Sequence, residues 1–128
     1  IGSLAVNTTE DQEVSTIVLT VSGDDKVIEQ VIKQLNRLID VIKVVDLTDK
    51  EHVERELMLI KVGAEQSNKR SELFQICEVF RTKVVGITQK NIIIEITGAT
   101  KKIEAFIDLM RPYGIIELAR TGVIALSR

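Results

Sequence analysis

The amino-acid sequence predicts an α+β protein of two tandem modules with the element order βαββαβ, the first of which lacks its first strand and helix. Two observations predict this fold class. Apolar residues change repeatedly between the two-residue period of strands and the helical period along the chain. In addition, one strand–glycine–helix segment occurs twice, and only its second copy is preceded by a further strand and helix.

The composition is that of a globular protein. Of the 128 residues, 45% are hydrophobic and 28% are charged, and the formal net charge is −2 with both signs interspersed. Such a surface has no field of one sign that would attract nucleic acid or an anionic membrane. The single cysteine, Cys77, excludes an intramolecular disulfide framework and suits a reducing compartment. No apolar run approaches the roughly 20 residues that span a bilayer, and because residue 1 is Ile rather than Met, we expect the natural N-terminus elsewhere.

The first module begins with a short predicted strand at 3–6 and continues with a strong β run at 16–21 that ends in a Ser-Gly pair. The period then changes, and a helix is predicted from Asp24, with Ser22, Asp24 and Asp25 as candidates to cap its first turn through side-chain oxygens. One face of this helix is apolar and consists of Val27, Ile28, Val31, Ile32, Leu35, Leu38 and Ile39. A return to strand is predicted at 41–45.

The second module shows the complete order. A long strand is predicted at 53–62, followed by a helix from about Ser67. The remaining predicted elements are strands at 84–88 and 92–97 around a turn at 89–91, a helix from about Thr100 that Pro112 and Gly114 end, and short strands at 115–118 and 123–126. This is the order of the split βαβ or ferredoxin-like fold.

The two modules share an internal repeat without a gap. The segment 16–23 aligns with 91–98 at an offset of 75 positions, and the alignment continues into the helix that follows. Six residues are identical between the copies, among them the glycine at each strand exit, Gly23 and Gly98. Because a strand and a helix precede the repeat in the second module, we expect a β-α element ahead of residue 1 in the first.

Residues that commonly catalyse reactions are sparse. His52, the only histidine, lies among charged residues in a polar linker, where a solvated side chain is more common than a general base. Cys77 lies on the apolar face of a predicted helix and is interpreted as a small buried hydrophobe. The sequence therefore predicts neither nucleophilic nor acid–base catalysis, and the chain is expected not to be an enzyme.

His52, Glu54 and Glu56 form the one pattern that could be a metal triplet. On a strand, these alternate positions point to the same face. One histidine and two carboxylates without another His or Cys make a weak ligand set, so no metal site is predicted. Salt pairing with the neighbouring Arg55 and Lys61 is the preferred interpretation.

Nucleotide and RNA binding are not indicated either. The strand-exit segments that begin at Gly23 and Gly98 lack the second glycine and the Lys-Ser/Thr pair of a phosphate loop. The predicted central strands carry Ile, Val and Leu in place of the aromatic side chains that stack on RNA bases. The apolar strands and helix faces favour pairing with other protein surfaces.

Several longer stretches carry a resemblance to a known family. They lie in the family's order over the whole chain, at 3–6, 34–44, 53–62, 80–85, 95–98 and 119–128. The most specific are Val-Glu-Arg-Glu-Leu-Met-Leu at 53–59 and Ala-Arg-Thr-Gly at 119–122. With these stretches the chain resembles the regulatory small subunit of acetohydroxyacid synthase, also called acetolactate synthase.

The resemblance implies a fold and a function. It implies an ACT domain, which is a ferredoxin-like ligand-binding module, at residues 1–48 and a second ferredoxin-like domain at 49–128. It further implies a non-catalytic subunit of branched-chain amino-acid biosynthesis that activates the catalytic subunit and mediates allosteric feedback inhibition by valine or a related amino acid. Thiamine diphosphate, Mg²⁺ and FAD would belong to the catalytic partner, and none to this chain. The chain would form a homodimer through its ACT domain, in the cytoplasm or in the plastid stroma of a plant or alga.

The resemblance also implies part of an effector site. In the family, the amino acid binds where the first ACT loop and the start of its first helix meet a neighbouring protomer, and that helix leads into an Asn-Ile-x-Ser-Leu stretch. This chain keeps Ile1, Ser3 and Leu4 of the stretch, and Gly2 stands where Glu is commoner. Ile1, Gly2, Ser3 and Leu4 are therefore the predicted effector-binding residues, with the remainder of the site upstream of residue 1.

Two other functions stay open on the residues alone. A free-standing ACT-type amino-acid sensor or transcription regulator would need a DNA-binding element, which would have to lie upstream. A small enzyme of the acylphosphatase sort would need a phosphate-binding loop with a positioned Arg, and the sequence shows none.

Overall fold

A computed structural model describes residues 3–10, 13–38 and 40–128 of the chain. The chain divides into two compact units, the first made of Ile1–Val53 with Ala125–Arg128 and the second of Glu54–Ile124. The elements, in chain order, are β1 (Ser3–Thr8), β2 (Ser15–Thr20), α1 (Asp25–Asn36), β3 (His52–Gly63), α2 (Ser67–Val79), β4 (Lys83–Ile87), β5 (Asn91–Gly98), α3 (Thr100–Met110), a short 3₁₀ helix (Arg111–Tyr113), β6 (Ile115–Arg120) and β7 (Ile124–Ser127). The predicted α+β class is confirmed.

The sheet of the second unit has the ferredoxin-like strand order. Its strands lie in the order β4-β5-β3-β6, and these neighbours are all antiparallel. Strand β3 is central because residues 56–63 pair with β5 on one side and residues 58–62 pair with β6 on the other. The predicted βαββαβ order is confirmed by β3, α2, β4, β5, α3 and β6. Strand β7, which also pairs with β3, is an addition to it.

One face of this sheet is buried under α2 and α3. Alternate residues of the two central strands point to that face, and the fully buried ones include Met58, Ile60, Val62, Ile92 and Ile94. The helices contribute Leu73 and Cys77 from α2, and Ile103, Phe106, Ile107 and Met110 from α3. The apolar residues repeat every second position in the strands and at helical spacing in the helices, so both kinds of element turn their apolar side toward one common core.

The end of α3 is set by Pro112 and Gly114, as predicted. Pro112 lies in the 3₁₀ segment that follows the helix, where its fixed φ is tolerated. Gly114 has a φ of 89°, a left-handed value that is costly for any residue with a Cβ atom. Its carbonyl accepts the N–H of Gly63 at 3.0 Å, so the turn is tied to the end of β3.

The described part of the first unit contains a two-stranded hairpin, a helix and most of β7. Strands β1 and β2 pair antiparallel, in a register that places Ser3 opposite Thr20. Helix α1 is capped by Asp24, whose Oδ1 accepts the N–H of Val27 at 3.0 Å. Of the three predicted capping residues, Asp24 is the one that caps the helix, which ends at Asn36, before the end of its predicted apolar face.

The predicted strand at 41–45 is wrong. These residues pair with no strand, and the N–H of Val41 instead meets the carbonyl of Leu38 at 3.2 Å in a turn. A strand needs a neighbour with a free backbone edge. The corresponding strand of the second unit, β6, pairs with that unit's first strand, and the described residues of the first unit include no strand in the equivalent place. This apolar run is therefore irregular where the described residues offer it no partner strand.

Two predictions about the first unit stay open. The predicted domain boundary between residues 48 and 49 falls in a turn, and the division into compact units lies at Val53/Glu54. Ile39, the last residue of the predicted helix face, lies outside the described residues.

The internal repeat is visible in the structure, because α1 and α3 begin at the same offset of 75 residues. The two strand-exit glycines also meet the same helix position. A Cβ atom on Gly23 would lie 2.8 Å from Cγ1 of Val27, and one on Gly98 would lie 2.5 Å from Cδ of Lys102. In both units, the absence of a side chain lets the first turn of the helix pass close to the end of the strand.

Candidate functional site

The predicted effector-binding residues lie at the start of β1. Ile1 and Gly2 fall outside the described residues, and Ser3 and Leu4 are the first two residues of the strand. The Oγ atom of Ser3 is hydrogen-bonded to Oγ1 of Thr20 at 2.7 Å. Sequence reasoning missed Thr20, because only the hairpin register brings it to Ser3.

The hairpin has one mainly polar face and one mainly apolar face. Ser3 and Thr20 belong to the face that also carries Ala5, Asn7, Thr16 and Val18. The opposite face carries the cross-strand pairs Leu4–Leu19 and Val6–Ile17, in which Leu4 is 55% exposed, Val6 62% and Ile17 58%. The structure therefore does not bring the side chains of Ser3 and Leu4 together, since successive residues of a strand point to opposite faces.

A buried ion pair is the main polar cluster of the second unit. Glu56 is only 3% exposed, and its Oε1 accepts two bonds from the Arg120 guanidinium, at 3.1 Å from Nε and 2.6 Å from Nη2. Its Oε2 accepts the backbone N–H of Gly122 at 3.1 Å. Nη1 of Arg120 donates to Glu104 at 3.0 Å. The hydrogen bonds to Glu56 are the main reason that the pKa of the Arg120 guanidinium is raised above its usual value.

This cluster joins the irregular stretch between β6 and β7 to β3. Gly122 has a φ of 87°, and the N–H of Thr121 donates to the carbonyl of Leu57 at 3.0 Å. The Glu56 carboxylate satisfies the Gly122 N–H, which would otherwise be buried without an acceptor. The role of the cluster is structural, because the carboxylates of Glu56 and Glu104 are already paired with the Arg120 guanidinium.

The predicted salt pairing of Glu56 with Arg55 and Lys61 is wrong. Glu56 points to the buried face of β3, whereas residues 55 and 61 are at odd positions and point to the other face. Lys61 pairs with Glu117, with Nζ 3.3 Å from Oε2. Nη1 of Arg55 donates to the backbone carbonyl of Glu54 at 2.6 Å.

The other candidate residues fit structural roles. His52 is the first residue of β3, and its Nδ1 lies 2.8 Å from the carbonyl oxygen of Lys50. Over the described ranges, no three or more His, Cys, Asp or Glu side chains are grouped so that they could hold a metal ion. Cys77 is buried as predicted, and burial raises the pKa of its thiol, which lowers the reactive thiolate fraction.

Arg70 is a structural residue that sequence reasoning missed. Its Nε donates to the carbonyl of Ala64 at 3.0 Å, and its Nη2 donates to the carbonyls of Thr88 and Gln89 at 2.6 and 3.1 Å. One guanidinium thus ties the start of α2 to the turn between β4 and β5. No local pattern indicates this role, because the partners are backbone atoms that come together only in the folded unit.

Over residues 3–10, 13–38 and 40–128, no helix is long and apolar enough to cross a bilayer.

Both parts of the chain match known family patterns. Residues 1–43 match the ACT domain described as "AHAS small subunit-like", and residues 55–128 match the family described as "Small subunit of acetolactate synthase". The two matched regions follow each other in chain order and together cover most of the sequence.

Individual proteins agree with the family match. A probable acetolactate synthase small subunit of Archaeoglobus fulgidus is 52% identical over 128 residues, which are 100% of this chain and 79% of that protein. The chloroplastic acetolactate synthase small subunit 2 of Arabidopsis thaliana is 49% identical over 100% of this chain and 26% of its own length. The crystal structure of the acetolactate synthase small subunit from Thermotoga maritima superposes with a TM-score of 0.82 at 43% identity, covering 99% of this chain and 79% of that one. The resemblance seen in the sequence is confirmed, and the chain belongs to the acetolactate synthase small-subunit family.

Proposed function

We propose that this chain is a non-catalytic regulatory subunit that binds an acetolactate synthase catalytic subunit, raises its activity and transmits feedback inhibition by valine or a related branched-chain amino acid. The observation that carries the proposal is the match of both parts of the chain, in order, to small-subunit families. Relatives named small subunits imply a larger catalytic partner. An ACT domain ahead of a second module also suits a protein that senses one molecule and contacts another.

The proposed effector site starts at the polar end of β1. The paired hydroxyls of Ser3 and Thr20 can both donate and accept hydrogen bonds, as an amino acid with an ammonium and a carboxylate group requires. Ile1, Gly2 and Leu4 belong to the same proposal as neighbouring residues. Leu4 acts through packing of the hairpin, since its side chain lies on the opposite face from Ser3.

Pairing of two copies through the first unit is part of this proposal. Strands β1 and β2 form a two-stranded sheet, so each has an edge without a neighbouring strand among the described residues. Free edges pair readily with another chain. An effector bound between two copies changes activity only if it binds one arrangement of the subunits better than another, and a coupling of about 1–3 kcal/mol is typical.

The proposal assigns the reaction chemistry to the partner. Thiamine diphosphate, Mg²⁺ and FAD would be bound by the catalytic subunit, and this chain would contribute binding and regulation. It would act in the same compartment as its partner, which is the cytoplasm or, as for the chloroplastic relative in Arabidopsis thaliana, the plastid.

The test is an activity assay with the catalytic subunit from the same source. Adding the chain is expected to raise the rate of acetolactate formation several-fold, to give a complex on size exclusion and to make the rate sensitive to valine. An unchanged rate together with no complex would contradict the regulatory role.

The effector-site assignment has its own test. Ser3→Ala is expected to weaken inhibition by valine, because it removes one hydroxyl of the Ser3–Thr20 pair. Thr16→Ala, on the same hairpin face but away from this pair, is the matched control and is expected to keep the valine response. Full valine sensitivity in Ser3→Ala would contradict the assignment and leave the regulatory role standing.

A further inference from the structure

The second unit has an open cavity where the start of α2 meets the turn between β4 and β5. Its volume is about 830 Å³, which is within the range of pockets that bind small molecules in proteins. The lining combines two cations, one carboxylate, two neutral polar side chains and one aliphatic side chain, from Arg70, Lys90, Glu65, Thr88, Gln89 and Ile87. These residues are separate from those of the effector site proposed at β1.

The guanidinium of Arg70 is held by the protein through only part of its donors. Its Nε and Nη2 atoms donate to the backbone carbonyls of Ala64, Thr88 and Gln89 at 3.0, 2.6 and 3.1 Å. Of the five N–H groups of an arginine side chain, two belong to Nη1. No described residue accepts a hydrogen bond from Nη1 of Arg70.

The Nη1 atom of Arg70 is accessible from outside. The described part of the chain contains no buried side-chain nitrogen that lacks a hydrogen-bond partner, so Nη1 is in contact with solvent. Because the other donors fix the guanidinium plane, these two N–H groups are held in position before any ligand arrives. A charged donor of this kind forms its strongest hydrogen bonds with an anionic oxygen, such as that of a carboxylate.

Two further charged side chains line the cavity without a protein partner. Lys90 lies in the turn before β5, and Glu65 precedes α2 by two positions. Both are exposed, and within the described ranges neither forms an ion pair or a side-chain hydrogen bond. The cavity therefore offers two cationic groups to an anion and one carboxylate to a cation.

Ile87 adds an aliphatic surface to these charges. It is the last residue of β4, and its side chain is 62% exposed. A single exposed isoleucine is common on protein surfaces, but at the wall of a cavity it gives a ligand an apolar contact. A free α-amino acid with an aliphatic side chain carries a carboxylate, an ammonium group and an apolar body within one small molecule, and it can use all three kinds of group.

We propose that this cavity binds a free aliphatic α-amino acid, with the carboxylate at Arg70 and Lys90, the ammonium group at Glu65 and the side chain against Ile87. The site lies within the second unit of one chain. It depends neither on the catalytic subunit nor on the effector site at β1. Because the cavity is open and its charges are exposed, we expect a dissociation constant on the order of 1 mM.

An NMR titration of the whole chain with leucine tests the site directly. The amide signals of Gln89 and Lys90 and the methyl signals of Ile87 are expected to shift in a saturable way. The same shifts are expected in Ser3→Ala, which changes only the site proposed at β1. Shifts of these signals that disappear in Ser3→Ala would overturn the proposal, because they would place the binding in the first unit.

Three variants at exposed positions separate the contributions of the charges. Glu65→Gln is expected to weaken leucine binding at least about threefold and to leave unchanged the binding of 4-methyl-2-oxopentanoate, which has the same carboxylate and side chain but no ammonium group. Lys90→Gln is expected to weaken the binding of both compounds. Lys83→Gln, on the same hairpin but outside the cavity lining, is the matched control and is expected to change neither.

Two results would contradict the assignment. One is the absence of a saturable shift at Ile87, Gln89 and Lys90 up to the solubility limit of leucine. The other is equal leucine affinity in Glu65→Gln and in the Lys83→Gln control, since the ammonium group would then have no partner at Glu65.

Discussion

The two units carry the same strand–glycine–helix repeat, yet only one of the two helices is buried. Helix α3 has four buried residues, whereas α1 has none. The strands differ in the same way, since Ile92 is fully buried and its repeat counterpart Ile17 is 58% exposed. Two segments with matching apolar patterns thus reach different degrees of burial in one chain.

The difference shows that burial depends on the layer that a segment joins and not only on its own pattern. Helix α3 shares its core with α2 and with the central strands of a five-stranded sheet. Strands β1 and β2 of the first unit form a hairpin of two strands, and an isolated hairpin is marginally stable in water. We therefore expect substitutions at equivalent repeat positions, or at a buried and an exposed site, to have unequal effects.

The largest expected loss of stability is at the repeat position that Phe106 occupies in α3 and Val31 in α1. Phe106→Ala in α3 is expected to lower the free energy of unfolding by about 3–5 kcal/mol, because it leaves a cavity in a fully buried core. The equivalent residue of α1 is Val31, which is only partly buried, and Val31→Ala is expected to cost about 1 kcal/mol or less. Urea denaturation followed by circular dichroism measures both values, and equal losses would contradict the comparison.

The next largest difference in stability is expected between removing the charge of a buried carboxylate and removing that of an exposed one. Glu56→Gln is expected to cost about 2 kcal/mol, because it weakens two bonds from a partly buried Arg120. Glu117→Gln removes a partner from Lys61 at a site where the carboxylate side chain is 72% exposed, and a cost of about 0–1 kcal/mol is expected. The same denaturation experiment checks the pair, and a larger loss for Glu117→Gln would be inconsistent with the structure.

At the strand-exit glycines, the larger loss of stability is expected in the first unit, although that unit is the less buried of the two. In Gly23→Ala the new methyl would lie 2.9 Å from Cβ of Val27, an atom that moves only with the helix backbone, and a cost of about 1–2 kcal/mol is expected. In Gly98→Ala the nearest atom is Cδ of the flexible Lys102, so the cost is expected to be smaller, about 1 kcal/mol or less. Local opening energies from hydrogen exchange test this order, and a greater local loss at Gly98 would reverse it.

The smallest effect concerns the helix caps, which differ between the two copies. Asp24 caps α1, whereas Ala99 at the equivalent place before α3 makes no side-chain cap bond. Asp24→Ala is expected to cost about 1 kcal/mol, and Ala99→Asp is expected to gain about 0.5–1 kcal/mol. Hydrogen exchange at the first turn of each helix measures the changes, and no gain from Ala99→Asp would show that the α3 end is already satisfied by other partners.

The fold of the second unit could be predicted from the sequence because its local signals are strong and agree with one another. β3, α2, β5 and α3 all lie within one or two residues of their predicted ranges. The strand predicted at 41–45 failed because a strand is defined by its neighbour as well as by its residues. The residue pattern alone did not distinguish a paired strand from an unpaired apolar run.

The polar contacts were harder to predict because their partners are far apart in the sequence. Glu56 and Arg120 are joined only when β3 pairs with β6, and the neighbouring Arg55 and Lys61 were chosen instead although they point to the other face. The Ser3–Thr20 contact likewise depends on the hairpin register. Of the four predicted effector residues, the structure describes Ser3 and Leu4, and the effector role of all four stays a prediction.

Hydrogen exchange on the whole chain tests the central comparison most directly. Amide protons of α1 and α3 at equivalent repeat positions would be followed in one sample, so that the solution conditions are identical. If burial is set by the surrounding layer, the amides of α3 should exchange at least about a hundredfold more slowly than those of α1, because they open only when the core of the second unit opens. Equal protection in the two helices would contradict the account.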